Sequence, residues 1–155
     1  MQEAATDLFI ARAEAAAAQV HAVPDEAAAA KEVEAIRASC GALGERALPG
    51  GGAVGVVRAA KGIAQTGTCI VVTDDEALRL ETMLPEVSVI LLSSADILPD
   101  LPSAAPFLRA EQTQGRASYV SFITGPSRTA DIERVSAIGV HGPLELHVVL
   151  IGGRP

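Results

Sequence analysis

Apolar and polar positions divide the chain into two regimes. Over the first 48 residues the apolar positions recur at helical spacing. Leu8, Phe9 and Ala13 share a face of one predicted helix, residues 6–20, which Thr6 caps. Val33, Ile36 and Cys40 share a face of a second, opened by Pro24-Asp25-Glu26. Proline suits a first helical turn, and the acids suit the positive end of the helix dipole. Both stripes are largely alanine and bury little area, so the pair is expected to pack against something larger, in this chain or in another copy. Leu48-Pro-Gly-Gly-Gly then breaks the pattern.

Beyond the break the apolar positions gather into short, nearly continuous runs. Residues 53–57, 69–72, 87–92, 119–124, 136–140 and 145–151 read as strands, with a helical turn or two at 59–64. Thr73-Asp-Asp-Glu76 has the spacing of a capping box, and Ala77, Leu80, Met83 and Leu84 form the expected buried face of the helix it starts. Ser93 and Asp96 mark a short capped helix before Pro99, and Phe107 and Leu108 are the expected anchors of the proline-punctuated stretch 99–117. Gly125-Pro-Ser-Arg-Thr129 turns into a short helix. His141-Gly-Pro143 suits a tight connection, hence an antiparallel pair of C-terminal strands. Strands alternating with helices predict an α/β fold with a mainly parallel, Rossmann-like sheet covered on both faces. One domain is expected overall, with N-terminal helices (1–48) packed on an α/β core (49–155).

Composition narrows the function. The chain has 155 residues, enough for one core, and a net charge of −7. An acidic chain with no Trp, one Tyr and three Phe is poorly suited to neutralise phosphates or stack bases, so no nucleic-acid partner is expected. Two cysteines, Cys40 and Cys69, cannot make a disulfide framework or a four-cysteine zinc or iron–sulfur site. They read as reduced thiols. The acidic first residues do not resemble a signal peptide, and no apolar run approaches the roughly 20 residues that cross a bilayer. A cytoplasmic protein without a membrane span is expected.

Candidate chemistry is concentrated in two places. Gly50, Gly52 and Gly55 have dinucleotide-loop spacing but lead into a strand, the wrong order for that motif, and read as a linker. Thr66-Gly67-Thr68 is either a tight turn with locally bonded threonines or a polar rim for an anion. Gly125-Pro-Ser127-Arg128-Thr129-Ala-Asp131 lies where a strand gives way to a helix. Its hydroxyls, free N–H groups and Arg128 could hold a carboxylate or phosphate at the carboxyl end of the sheet. Equally, Asp131 and Glu133 could satisfy the helix dipole, with Arg128 paired to Asp131. His141 could reach the same sheet end or be a solvated turn residue. His147 reads as a packed or edge residue and His21 as remote on a helix. The three histidines show no metal-ligand spacing, and neither a metal nor a cofactor is expected.

The run Tyr119-Val-Ser-Phe-Ile-Thr-Gly-Pro-Ser-Arg-Thr-Ala-Asp-Ile-Glu133, with Gly139-Val-His-Gly-Pro143 and Leu146-His-Val-Val-Leu150, closely resembles the C-terminal signature of the lactate utilization protein C family, the LUD-domain group. Gly62-Ile-Ala-Gln-Thr-Gly-Thr68 resembles that family's Ala-x-Thr-Gly-Thr segment. The resemblance covers roughly residues 53–151. It implies a three-layer α/β/α fold like those of sugar-phosphate isomerases and CoA transferases. It also implies a cluster-free part in bacterial oxidation of L-lactate to pyruvate, beside iron–sulfur partner proteins. Carried onto this chain, the ligand-facing positions are Thr66, Gly67, Thr68, Gly125, Ser127, Arg128, Thr129, Asp131 and His141. The family has a longer segment before the Thr-Gly-Thr element, where residues 49–52 stand here. Two other functions fit the residues. One is a stand-alone enzyme or sensor for a small anionic metabolite. The other is an assembly module, with partners or as a homo-oligomer, acting through the alanine-rich helices. Tyr119 and Phe122 lie on the strand that delivers Gly125-Pro-Ser127 and mark where a site is sought first.

Overall fold

The computed structural model describes residues 1–40, 54–115, 119–127 and 142–153. In chain order the elements are α1 (Gln2–Ala15), β1 (Gln19–Val23), α2 (Glu26–Cys40), β2 (Val54–Arg58), β3 (Lys61–Ile63), β4 (Thr68–Thr73), α3 (Glu76–Met83), β5 (Val87–Ser93), β6 (Ile97–Leu98), α4 (Ala105–Thr113), β7 (Tyr119–Ile123) and β8 (Glu145–Ile151). Short 3-10 turns occupy Ser94–Asp96 and Pro102–Ala104.

The fold is α/β, as the run pattern predicts, but the strands form two sheets. The first is wholly parallel, in the order β1-β8-β5-β2. The second is mixed, in the order β6-β3-β4-β7. The chain changes sheet between two adjacent residues: the Ala59 N–H donates to Leu91 O in the parallel sheet, and the Ala60 N–H to Ile70 O in the mixed one. A short turn through Gly67 then joins β3 to β4, too short for a parallel crossover, and antiparallel pairing follows. Residues 59–64 are therefore not helical, and Lys61–Ile63 among them form β3.

Each layer boundary has its own apolar cluster. On one face of the parallel sheet, Val23, Val54, Val87, Val89, Val149 and Ile151 pack against Ala29, Val33, Ile36 and Cys40 of α2. On the other face, Ile90, Leu92, Leu146, Val148 and Leu150 meet Phe9 and Ala13 of α1 together with Cys69 and Val71 of the mixed sheet. Ile63, Ile70 and Ala104 make a third cluster, with Phe107 and Leu108 of α4 packed on it.

Several sequence expectations change. Residues 1–48 do not supply helices alone. α1 stops at Ala15, and β1 joins the parallel sheet along five residues of β8. The expected antiparallel C-terminal pair does not fit β8, because both its edges carry parallel partners, β1 and β5. Residues 136–140 lie outside the described residues. α3 is capped by Asp75, whose carboxylate accepts from the Ala77 N–H, while the Thr73 hydroxyl accepts from the Asp75 N–H. The cap therefore sits two residues after the expected one. Met83 and Leu84 are exposed, and Thr82 takes the buried position.

Candidate functional site

The antiparallel pairing of β4 with β7 sets Cys69 opposite Ile123, which brings Thr68 and Thr124 side by side at the sheet end. Thr68 is buried, and its hydroxyl sits 2.6 Å from that of Thr66 and 2.7 Å from that of Thr124. Three hydroxyls thus form one chain from the β3–β4 turn to the end of β7. Two bonds use two of the three protons, so one hydroxyl can still donate outward. Thr68→Val keeps the shape and removes the central link. It is expected to cost about 1–2 kcal/mol in urea unfolding, since both hydrogen bonds of the central hydroxyl are lost while the exposed Thr66 and Thr124 can turn to water.

The glycines of the two motifs face α1. Gly67 has φ +67° and Gly125 φ +68°. A Cβ on Gly67 would overlap the Ala13 nitrogen, and one on Gly125 would overlap the Ala16 carbonyl oxygen. Both positions are buried against the last turn of the helix. Beyond Gly125 the Ser127 N–H donates to Pro143 O at 2.9 Å, and Gly142 lies against the Ser127 side chain. The structure therefore brings Thr66, Gly67, Thr68 and Gly125 together, and joins Ser127 to the Gly142-Pro143 turn. Arg128, Thr129, Asp131 and His141 lie outside the described residues.

A cleft of about 360 Å³ opens here, lined by Met83, Phe122, Thr124, Gly125, Ser127 and Gly142 among others. Thr66 and Thr68 back it through Thr124 and do not line it. Thr124 is the residue that sequence reasoning missed: only the β4–β7 register places it against Thr68. Among the described lining residues none is ionisable, and the polar groups are hydroxyls and main chain. Such a surface orients a ligand by hydrogen bonds. Cys69, beneath the turn, offers no nucleophile, since complete burial pushes its thiol up to about 12.

The cleft lies at the end of the parallel sheet opposite to the one expected. Pro143 precedes β8, and the N–H groups of Leu144 and Glu145 donate to Glu86 O just before β5. Gly125-Pro-Ser127 therefore meets the amino ends of these strands, because β7 belongs to the mixed sheet. At the carboxyl ends, Ser94 and Gly152 border a second cleft of about 290 Å³ under α1. There the Gln2 amide donates to Ser94 O at 2.6 Å and to Ile97 O at 3.3 Å. Among the described residues no group of three or more His, Cys, Asp and Glu could hold a metal ion, and no helix is long and apolar enough to cross a membrane.

Residues 50–151 match the family model described as the LUD domain. An uncharacterized protein, YkgG, from Escherichia coli (strain K12) is 36% identical over 100 residues, 63% of this chain and 43% of that protein. Lactate utilization protein C of Anoxybacillus flavithermus is 34% identical over 92 residues, 59% of this chain and 40% of that protein. The protein of the same name from Bacillus subtilis (strain 168) is 29% identical over 103 residues, 65% of this chain and 43% of that protein. The chain covers less than half the length of these curated relatives. In fold, it is similar to the crystal structure of a DUF162 family protein from Deinococcus radiodurans, with a TM-score of 0.67 at 18% identity, covering 98% of this chain and 99% of that one.

Proposed function

The chain belongs to the LUD domain family, and on that premise we propose that it is a cluster-free component of a bacterial system that oxidises L-lactate to pyruvate, acting with iron–sulfur partner proteins. The observation that carries this reading is the similarity of its core to proteins named lactate utilization protein C. The cysteines agree with it. The two in this sequence, Cys40 and Cys69, are both buried, and two thiols are too few to hold a four-cysteine cluster. Deleting the gene is expected to impair growth on L-lactate and leave growth on pyruvate intact. Undiminished growth on lactate would overturn the proposal.

The ligand seat we assign is the cleft at Thr124 and Ser127, and the ligand class is a small carboxylate. The Thr124 and Ser127 hydroxyls suit carboxylate oxygens, and the apolar sides of Met83 and Phe122 suit a short carbon chain. This cleft also favours a second reading, in which the chain binds a small anionic metabolite without partners. Calorimetry of the full chain with L-lactate, pyruvate, a sugar phosphate and an acyl-CoA separates the two. Lactate or pyruvate alone is expected to give saturable heat, and Thr124→Val is expected to weaken it about tenfold, the worth of one good hydrogen bond. Heat with sugar phosphate or acyl-CoA alone would favour the second reading. Silence with all four would remove the carboxylate seat.

A further inference from the structure

Four side chains outside the cleft form an unbroken line across the edge of the parallel sheet. The β1–β8 register sets His21 opposite Val149 and Gln19 opposite His147, so both imidazoles project on the face covered by α2. The rings meet edge to edge, with centroids 5.2 Å apart and planes 24° from parallel. Nε2 of His21 is 2.9 Å from Nδ1 of His147. On the outer sides, Nδ1 of His21 is 2.8 Å from Oε1 of Glu32, and Nε2 of His147 is 3.3 Å from Oε2 of Glu145.

Proton counting decides what this line can hold. A carboxylate only accepts, so an outer nitrogen bonds its carboxylate only while it carries a proton. With both rings neutral, two protons serve three contacts, and one contact is left without a hydrogen. With both rings charged, two N–H groups would collide in the gap between the rings. One extra proton satisfies all three contacts at once: Glu32 accepts from His21, His21 accepts from His147, and His147 donates its second proton to Glu145. A metal ion in the gap is disfavoured, since two ligating nitrogens at about 2.0–2.1 Å from zinc stand farther apart than 2.9 Å in tetrahedral geometry.

We propose that Glu32, His21, His147 and Glu145 form a single-proton binding site, in which one proton shared between the inner nitrogens clamps β1 and α2 onto β8. The charge belongs formally to His147, which is 7% exposed and hydrogen-bonded on both sides. His21 resists a second proton. Burial lowers its affinity first, and His147 lowers it further, against a partial rise from Glu32. Among the described residues, Glu32 and His147 are the charged or titratable groups that act on His21. α2 contributes Glu32 and β8 contributes Glu145, while β5 sets Val89 beside His147 and carries no titratable side chain.

The sign of the pH dependence follows. His21 binds its proton less readily folded than unfolded, so acidification favours the unfolded chain. His21's share of the stability is complete above the ordinary histidine value of about 6.5 and is lost progressively below it, while the clamp itself, which needs its one proton bound, weakens again at alkaline pH.

Two-bond proton–nitrogen spectra of the imidazoles in the full chain at pH 7 test the assignment. His147 is expected as the imidazolium and His21 as the neutral ring protonated on Nδ1, with one strongly downfield proton between them. Two neutral rings, whichever nitrogens carry their protons, would overturn the proposal. Stoichiometric zinc is expected to leave both rings unchanged, and perturbation of both would make the gap a metal seat instead. Urea midpoints add a second measure. The midpoint is expected to fall between pH 7 and pH 5 in the native chain and to be nearly flat in His21→Gln. An equal fall in both would also refute the shared proton.

Discussion

Gly67→Ala is expected to lower stability by roughly 2–5 kcal/mol while leaving the denaturant slope unchanged. Two separate costs add. The left-handed backbone at φ +67° penalises any Cβ by about 1–2 kcal/mol. The new methyl would also overlap the main chain of Ala13 and lie 2.6 Å from its Cα, where a helix cannot yield as a side-chain tip would. Overpacking of that kind costs roughly 1–3 kcal/mol. Gly115 separates the two terms. It has φ +62°, yet a Cβ there meets nothing within 4 Å. Gly115→Ala should therefore show the backbone term alone, about 1 kcal/mol or less once the stiffer unfolded chain is counted. Urea unfolding of the two variants checks this. Equal losses would mean that the Thr-Gly-Thr turn does not press on α1.

The same contact explains why that turn was ambiguous in the sequence. Thr66-Gly67-Thr68 reads as a turn or as an anion rim, and the structure uses its glycine for packing and its threonines for one another. Gly125 repeats the pattern at the end of β7. What a single sequence cannot display is register. Thr124 and Thr68 are 56 positions apart, and His21 and His147 are 126 apart, yet strand pairing sets each pair in contact. Strands β4, β5 and β8 were legible because they are buried on both faces and show as unbroken apolar runs. β1 was hidden for the opposite reason. Its sequence Gln-Val-His-Ala-Val is half polar, and no glycine or proline announces the end of α1. The helix ends instead on Ala17, an alanine at φ +70°, while the Ala18 N–H returns to Ala13 O. That geometry is a Schellman cap, normally signalled by glycine. Gly62 stands in β3, where a side chain would press on Leu92 and Phe9.

Removing residues 1–48 is expected to abolish cooperative folding of the remainder, although the family match begins at residue 50. Three losses coincide. β8 would lose β1, a five-residue parallel partner, and expose a hydrophobic edge. Val87, Val89, Val149 and Ile151 would lose the α2 side chains that cover them. The junction of the two sheets would lose Phe9, which is fully buried in the cluster shared by Leu92, Cys69 and Ile97. Phe9 alone sets a scale, since Phe9→Ala in such a site costs about 3–5 kcal/mol. That is a large share of the 5–15 kcal/mol that holds a typical domain together. The full deletion removes Phe9, the α2 face and β1 together and should exceed the whole margin. Circular dichroism and urea unfolding of residues 49–155 decide the matter. A truncated chain that unfolds in one sharp transition would make the alanine-rich segment a detachable interaction arm. A chain without a transition makes it a structural part of the core, and assembly with partners must then use another surface.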